Sequence, residues 1–288
     1  MKKSNINKKK PQDGIQVEVD AQRLKDYFGG YDHGIVAYSG GVDSALLAFV
    51  AHRILGENMM AVLADSPSLS RREYHFALNF TQQHAIPLQI VRTQEIKNPD
   101  YRANPANRCY FCKTALFERI EELRRQLQKP SGVSTWPIFY GANLDDLGDF
   151  RPGMQAAREA SILAPYIELN INKITIRAIC TYYGLEIAEK PAMPCMASRI
   201  AYGEEVTREK LNQVEEAESF LYTLGFQVFR VRHHGDTARI EVLPRDYAAL
   251  IESREKISSK FHDLGFVYVS LDLDGFKSGS LNAALKPE

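Results

Sequence analysis

Two patterns of apolar and polar positions divide the chain near residue 204. Before that point, short apolar runs end in glycine or polar residues, which predicts buried strands. These runs are HGIVAYSGG (33–41), MMAVLAD (59–65), PLQIVRT (87–93) and PIFYGAN (137–143). The segments between them have helical apolar spacing, as in residues 43–55 and 70–85. This alternation predicts an α/β fold, a parallel sheet with helices on both faces and ligands at the carboxyl ends of the strands.

After residue 204 the pattern changes to a helix, two strands, a second helix and a final strand over residues 266–275. Leu224-Gly225-Phe226 recurs as Leu264-Gly265-Phe266, and Gly235 recurs as Gly275. A recurrence at constant spacing indicates a duplicated helix-strand unit. We therefore predict a disordered tail over residues 1–15, an α/β domain over 16–203 and a smaller C-terminal α+β domain over 204–288.

Charge and composition exclude some classes of protein. Lys+Arg and Asp+Glu are equal at 36 each, so the simplest argument for a nucleic-acid partner, a basic body, does not apply. The basic start MKKSNINKKK is followed by a polar stretch, unlike a secretory signal, and no apolar run could cross a membrane. With only four cysteines and no signal, we expect a cytoplasmic protein whose thiols are ligands or catalysts.

The stretch SGGVDS contains the most specific local motif, at the predicted junction of the first strand and helix. Its glycines allow backbone N–H groups to turn toward an anion, and its serines add hydroxyl donors. Asp43 can hold Mg²⁺ beside a phosphate, while the absence of a lysine excludes a Walker A loop. We expect this loop to bind ATP and Mg²⁺ through Ser39, Gly40, Gly41, Val42, Asp43 and Ser44.

Other charged residues are candidates for the same chemistry. Asp145, Asp146 and Asp149 follow the PIFYGAN strand, and Asp146 or Asp149 could bind Mg²⁺. Arg199 could neutralise a phosphate or a carboxylate. Arg230 and Arg232 alternate along one face of a strand, a spacing suited to holding a phosphate. His233 and His234 have no third ligand at suitable spacing, so we favour a hydrogen-bonding role for them.

The cysteines fall into two groups. Cys180 shares a helical face with Ile176 and Ile179, which predicts a core position. Cys109 and Cys112 form a CxxC flanked by basic residues, a pattern that also suits a redox pair or half of a zinc site. A four-cysteine zinc site would need Cys180. The three remaining thiolates, which include Cys195, would leave one iron of a 4Fe-4S cluster open.

Longer blocks identify a family. SGGVDS resembles the PP-loop of the N-type ATP pyrophosphatases, which transfer AMP to a substrate oxygen. The chain resembles the LarE family over residues 20–275, in the blocks ADSPSLSRRE, NPDYRANPANRCYFCK, YGANLDDLGDFRPG, PAMPCMASRIAYG and RVRHHGDTARIEV. The resemblance implies an ATP-dependent sulfur transferase of nickel-pincer nucleotide synthesis. Such an enzyme adenylates a carboxylate of pyridinium dicarboxylate mononucleotide and replaces its oxygen with sulfur.

The resemblance also implies residue roles and partners. Cys195 would handle sulfur, either sacrificing its own and becoming dehydroalanine or joining Cys109 and Cys112 as ligands of a 4Fe-4S cluster that carries an extra sulfide. Because the CxxC is present, the cluster variant is expected. Further expected site residues are Asp65, Asp145, Asp146 and Arg151 for the cofactor and Arg230, Arg232 and Glu218 for the substrate phosphate. The expected partners are a nickel-insertion protein and further copies of the chain, in homo-oligomers that include hexamers.

Three rival functions stay open at this point. A PP-loop tRNA thiolase can also carry a three-cysteine cluster, but the balanced charge and the lack of a recognisable RNA-binding module are against it. An NAD or GMP synthetase that uses ammonia would leave the cysteines without a role. A nucleotide sensor without enzymatic activity would not turn over ATP.

Overall fold

The computed structural model describes residues 11–131, 136–148 and 151–277. The chain packs as two compact units. The first comprises the chain up to Asp65 together with Arg72–Arg92 and Leu116–Met193. The second comprises Ser66–Arg71, Thr93–Ala115 and the chain from Pro194 onward. Compact packing does not establish independent folding, so the domain boundary at residue 204 stays a prediction.

The first unit contains a four-stranded parallel sheet. Its strands are β1 Gly34–Tyr38, β2 Met59–Asp65, β3 Leu88–Arg92 and β4 Ile138–Tyr140, in the spatial order β3-β2-β1-β4. All five residues of β1 are buried, as expected for a continuous apolar run in a parallel sheet covered on both faces. The predicted α/β fold is confirmed, and all four strands end at one edge of the sheet.

Helices connect these strands and continue into the second unit. Over the described residues they are α1 Pro11–Gly29, α2 Val42–Leu55, α3 Arg71–Gln83, α4 Pro99–Arg102, α5 Arg108–Ser131, α6 Pro152–Glu159, α7 Pro165–Glu168, α8 Lys173–Tyr182, α9 Arg208–Thr223, α10 Tyr247–Glu252 and α11 Arg254–Asp263. Helix α2 follows β1 directly and buries ten of its residues. It forms the centre of the first unit.

Helix α1 corrects the predicted tail. It begins at Pro11, so residues 11–15 are helical and not part of a disordered segment. Proline is favoured at a first helical position, and the apolar side chains of Ala21, Leu24 and Phe28 anchor the helix by burial. The rest of the predicted tail, residues 1–10, lies outside the described residues.

The second unit has a small mixed sheet. Strands β5 Phe229–His234 and β6 Thr237–Val242 form an antiparallel hairpin, and β7 Tyr268–Leu271 pairs with β6 in parallel. The second helix that the sequence predicts after residue 204 is two helices, interrupted at Ser253, a residue type that favours helix ends.

The duplicated helix-strand pattern is visible in two equivalent helix caps. Gly225 and Gly265 both have φ 96°, a conformation that favours glycine. The backbone N–H of the next phenylalanine then reaches back five residues, from Phe226 to Leu221 and from Phe266 to Phe261. The repeated Leu-Gly-Phe therefore encodes the same end for α9 and for α11.

Within the described residues, the longest helices are too polar to cross a membrane.

Candidate active site

The SGGVDS loop joins β1 to α2 at the carboxyl edge of the sheet. Gly40 has φ 74°, and a Cβ there would lie 2.8 Å from the Cβ of Ala77. The Oγ of Ser44 lies 3.0 Å from that of Ser39 and 3.1 Å from the Ser39 nitrogen, and it donates to the Gly41 carbonyl. The loop is thus pre-shaped at the positive end of α2, where an anion is favoured.

Asp43 has one paired and one unpaired carboxylate oxygen. Its Oδ2 lies 2.5 Å from the Lys173 Nζ, whereas its Oδ1 is buried and accepts no hydrogen bond among the described residues. Burial raises the pKa of this carboxyl, and Lys173 opposes that shift. A buried carboxylate oxygen without a donor suits a hard cation, so the arrangement fits Mg²⁺.

The acidic loop after β4 lies beside this carboxylate. It forms a 3₁₀ turn over Leu144–Gly148, where the Asp145 Oδ2 accepts the Lys173 backbone N–H at 2.9 Å. Asp146 accepts the Asn143 backbone N–H and forms an ion pair with Arg151 at 2.9 Å. Asp149 lies outside the described residues. Four of the predicted cofactor residues, Asp43, Asp145, Asp146 and Arg151, therefore lie near one another.

The sequence patterns did not indicate two lysines that lie in this site. Lys173 contacts both Asp43, through its Nζ, and Asp145, through its backbone N–H. Lys190 donates to the Gly40 carbonyl at 2.8 Å and pairs with Glu73 at 2.8 Å, and its Nζ lies 3.5 Å from the centre of the Phe76 ring. Burial lowers the pKa of Lys190. Because 150 positions separate Lys190 from Gly40, no local pattern could have linked them.

Asp65 ends β2 and lies in a groove of about 530 Å³. The groove runs along the edge strand β3, and Arg92 and Arg119 contribute to its lining. The predicted cofactor residue is thus at the ligand edge of the sheet, one strand from the phosphate loop.

Three of the four cysteines come together in the second unit. Cys109 and Cys112 lie one turn apart at the start of α5, and Cys195 is exposed just before a 3₁₀ turn at Met196–Arg199. Burial raises the pKa of Cys112, and Glu95, Cys195 and Cys109 raise it further, so the three sulfurs share one environment. Cys180 is fully buried in the first unit, as predicted, and burial raises its pKa to about 12.

The cysteines do not form a preassembled metal site. None of the four is in a disulfide. Within the described ranges, no three His, Cys, Asp or Glu side chains are spaced to hold a metal ion. Three thiols in one environment are a suitable donor set for iron, but their spacing here is not that of bound ligands.

Two of the predicted arginines form ion pairs with carboxylates of the protein itself. Arg199 is 1% exposed, and its Nε and Nη2 donate to the two carboxylate oxygens of Glu218. Arg232 donates in the same way to both oxygens of Glu241, at 2.9 and 3.0 Å. Buried two-pronged pairs of this kind fix geometry. The Nε2 of His233 donates a hydrogen bond to the amide oxygen of Gln213 at 3.1 Å, in agreement with the predicted hydrogen-bonding role.

Arg230 differs from both. It is 6% exposed, its Nε has no hydrogen-bond partner in the described part of the chain, and its guanidinium lies 5.0 Å from the centre of the Phe276 ring. Burial, together with the charges of Arg199 and Arg232, lowers its pKa to about 10. The carboxylates that act on Arg230 are those of Glu218 and Glu241. Glu218 is bonded to Arg199, and Glu241 is bonded to Arg232 and Arg239, so within the described residues neither carboxylate is hydrogen-bonded to Arg230.

Comparisons with known proteins place this arrangement in a family. Residues 20–108 match the family model of NAD synthase. The chain is 43% identical to an uncharacterised protein of Synechocystis sp., over 93% of this chain and 99% of that protein. It is 29% identical to an uncharacterised protein of Methanocaldococcus jannaschii, over 85% of this chain and 90% of that protein.

A third relative has a named activity. The chain is 30% identical to pyridinium-3,5-bisthiocarboxylic acid mononucleotide synthase of Lactiplantibacillus plantarum, over 87% of this chain and 89% of that enzyme. Identity at this level over nearly the whole of both chains shows that the protein belongs to the LarE family of PP-loop enzymes.

Proposed function

We propose that the protein is an ATP-dependent sulfur transferase acting on pyridinium-3,5-biscarboxylic acid mononucleotide. It adenylates a carboxylate of this substrate and replaces an oxygen with sulfur, giving the thiocarboxylate, AMP and pyrophosphate. The observation that carries the proposal is the packing of Cys112 against the buried cluster of Met196 and Ala197, which brings the CxxC and the Cys195 segment together in a chain with a PP-loop. An NAD or GMP synthetase would have no use for these thiols.

The first unit supplies the ATP chemistry. Ser39, Ser44 and the backbone N–H groups that begin α2 hold the phosphates, and Lys173 and Lys190 provide the cations that the loop itself lacks. Asp43, through its unpaired Oδ1, and Asp146 are the residues that would hold Mg²⁺. The bound ion would neutralise charge on the phosphate oxygens during adenylation. Asp65, Asp145 and Arg151 complete the cofactor site.

The second unit receives the substrate phosphate. Arg230 contacts this phosphate directly, because its Nε has no hydrogen-bond partner among the described residues and the nearby Glu218 and Glu241 are bonded to Arg199 and Arg232. Arg232 and Glu218 are near Arg230, and each is held in an ion pair, with Glu241 and Arg199 respectively. Arg199, proposed to neutralise the adenylate, also donates to the carbonyls of Pro194 and Cys195 and so fixes the backbone at the sulfur residue.

Cys195 handles the sulfur. With Cys109 and Cys112 as companions, it would provide three thiolate ligands to a 4Fe-4S cluster, whose open iron could carry a transferable sulfide. The alternative is sacrifice, in which Cys195 loses the elements of hydrogen sulfide and becomes dehydroalanine. A nickel-insertion protein would consume the thiocarboxylate product, and the enzyme would work as a homo-oligomer.

Two variants separate the two half-reactions. We expect Asp43→Asn to lower ATP consumption in the presence of substrate about 100-fold or more, because the Mg²⁺ ligand is lost. Cys195→Ala should still release pyrophosphate but form no thiocarboxylate. Cys180→Ala is the matched cysteine control and should keep both activities. Thiocarboxylate formation by Cys195→Ala would refute the proposed role of this thiol.

The sulfur source is decided by spectroscopy and mass measurement. Protein purified without oxygen and reconstituted with iron and sulfide should absorb broadly in the visible, and Cys109→Ala should lose this absorption. If Cys109→Ala keeps both the chromophore and sulfur transfer, the cluster is not the source. A Cys195 peptide lighter by the elements of hydrogen sulfide after turnover would establish sacrifice, whereas an unchanged peptide supports the cluster.

Binding of tRNA tests the remaining rival function. A tRNA thiolase should retard tRNA in a gel at physiological salt, whereas we expect no shift for a chain with balanced charge.

A further inference from the structure

The segment that carries Cys195 is held by hydrogen bonds to backbone and side-chain groups outside it. Its backbone at Met196 donates to the Ser68 carbonyl at 2.8 Å. The Ser198 carbonyl accepts from Arg232 at 2.7 Å, and the carbonyls of Ile200 and Ala201 accept from the Asn104 side chain. The segment is therefore fixed by long-range bonds, although it contains only a short 3₁₀ turn.

Arg108, the first residue of α5, also bonds to the Cys195 segment. Its Nη1 donates to the Ala197 carbonyl at 3.0 Å and to the side-chain oxygen of Asn104. Ala197 lies two residues after Cys195, and Arg108 precedes Cys109 in the chain. One guanidinium nitrogen thus ties the backbone near Cys195 to the turn that carries both other cysteines.

The surroundings of Arg108 indicate that this tie is rigid. Arg108 is 4% exposed and Asn104 is fully buried. Asn104 has φ 52°, a conformation that asparagine tolerates better than most residues, and its backbone carbonyl accepts the Gly203 N–H.

We propose that Arg108 is a positioning residue that sets the approach of Cys195 to Cys109 and Cys112. The role deepens the proposed sulfur transfer and rests on it for its purpose, since three thiols can act together only if two distant segments stay aligned. The positional claim itself concerns the protein without ATP, substrate or metal. Small displacements of reacting groups are costly, because a shift of about 1 Å can lower a rate about 100-fold.

Disulfide trapping measures this approach directly. In a Cys112→Ala background, diamide should oxidise Cys109 and Cys195 to a disulfide, accepting the two thiol hydrogen atoms. The bond requires the two Cα atoms to come within about 7 Å, so its rate reports alignment of the segments. We expect Arg108→Gln to slow the formation of this disulfide about tenfold. Peptide mass mapping after alkylation of free thiols gives the rate.

A lysine variant guards against loss of folding. Arg108→Lys keeps the charge but not the planar fork of donors, so we expect a slowing of about threefold. Arg102→Gln, which removes an exposed ion pair with Glu205, is the control and should match the parent. Circular dichroism establishes which variants are folded, and if Arg108→Gln is not, the lysine variant decides.

Two results would overturn the inference. One is a parent-like rate in every folded Arg108 variant, and the other is the absence of any Cys109–Cys195 disulfide in the background protein. Neither result depends on sulfur transfer. Failure of the proposed function would instead appear as absent thiocarboxylate formation in a protein whose disulfide trapping behaves as expected.

Discussion

Two cations, one in each unit, have opposite surroundings. In the first unit, Lys190 is paired with Glu73 and bonded to the Gly40 carbonyl, so its charge is matched inside the protein. In the second, Arg230 has no carboxylate of its own and lies near two other guanidinium groups. A cation that is paired maintains the shape of a site, whereas one left unpaired is available to an anionic ligand.

This difference predicts opposite changes in the free energy of unfolding when each cation is removed. Removing one member of a buried pair leaves an uncompensated charge and is strongly destabilising. Removing a buried cation that has no partner relieves a desolvation cost. The two kinds of site should therefore respond to the same substitution in opposite directions.

The largest effect is expected for Lys190→Met. Loss of the cation removes a partner of the largely buried Glu73 carboxylate and frees the Gly40 carbonyl, so the free energy of unfolding should fall by about 3–5 kcal/mol. Urea denaturation followed by circular dichroism measures this change. ATP consumption should fall with it, because the phosphate loop loses a bond that shapes it.

A double variant tests whether loss of the ion pair causes the destabilisation. Lys190→Met combined with Glu73→Leu removes both charges, and such replacements of a buried pair are often neutral in stability. We expect it to recover most of the lost stability but not the ATP activity. Equal stability of the single and double variants would show that the ion pair is not the cause.

Arg230→Met should act in the opposite direction. The lowered pKa of Arg230 lies below its value in the unfolded chain, so the penalty for the charged form is fully present at neutral pH. Its removal should raise the free energy of unfolding by about 1–3 kcal/mol and weaken binding of the mononucleotide about 100-fold.

Arg232→Met is the matched control for this variant, on the same strand and face. It leaves Glu241 without one of its partners and should destabilise the protein. Calorimetry of both variants tests whether Arg230→Met stabilises and Arg232→Met destabilises the protein, and titration measures substrate binding. Destabilisation by Arg230→Met would show that this arginine is a structural residue.

The sequence predicts the sheet and the phosphate loop because both are local patterns. The apolar run that forms β1 and the glycines of SGGVDS carry their structural meaning in a few neighbouring residues. Local patterns could not separate Arg230 from Arg232, which have the same spacing and residue type. Their difference depends on Glu241 of the adjacent strand, which the strand register sets opposite Arg230 but whose carboxylate bonds to Arg232.

The same limit applies to the lysines and to the helix boundaries. Lys190 acts on Gly40 through the tertiary fold, and its surrounding sequence contains no sign of that contact. Helix α5 begins at Arg108, so that Cys109 and Cys112 lie in its first turn, one turn apart. The CxxC spacing indicated a pair of thiols, and the family resemblance predicted Cys195 as the third. The fold adds that Cys112 packs against the cluster that contains Met196 and Ala197, which follow Cys195.

The smallest effect concerns anions added to the intact protein. If Arg230 is reserved for a phosphate, inorganic sulfate should stabilise the folded state by mass action. A free sulfate concentration about four times the Kd adds about 1 kcal/mol to the free energy of unfolding.

Because sulfate also strengthens folding non-specifically, the informative quantity is the difference between the parent and Arg230→Met at matched ionic strength. Lys190→Met, whose cation is internally paired in the parent, should keep the Arg230-dependent part of this gain. An equal response to sulfate in the parent and Arg230→Met would mean that the unpaired guanidinium is not the anion site.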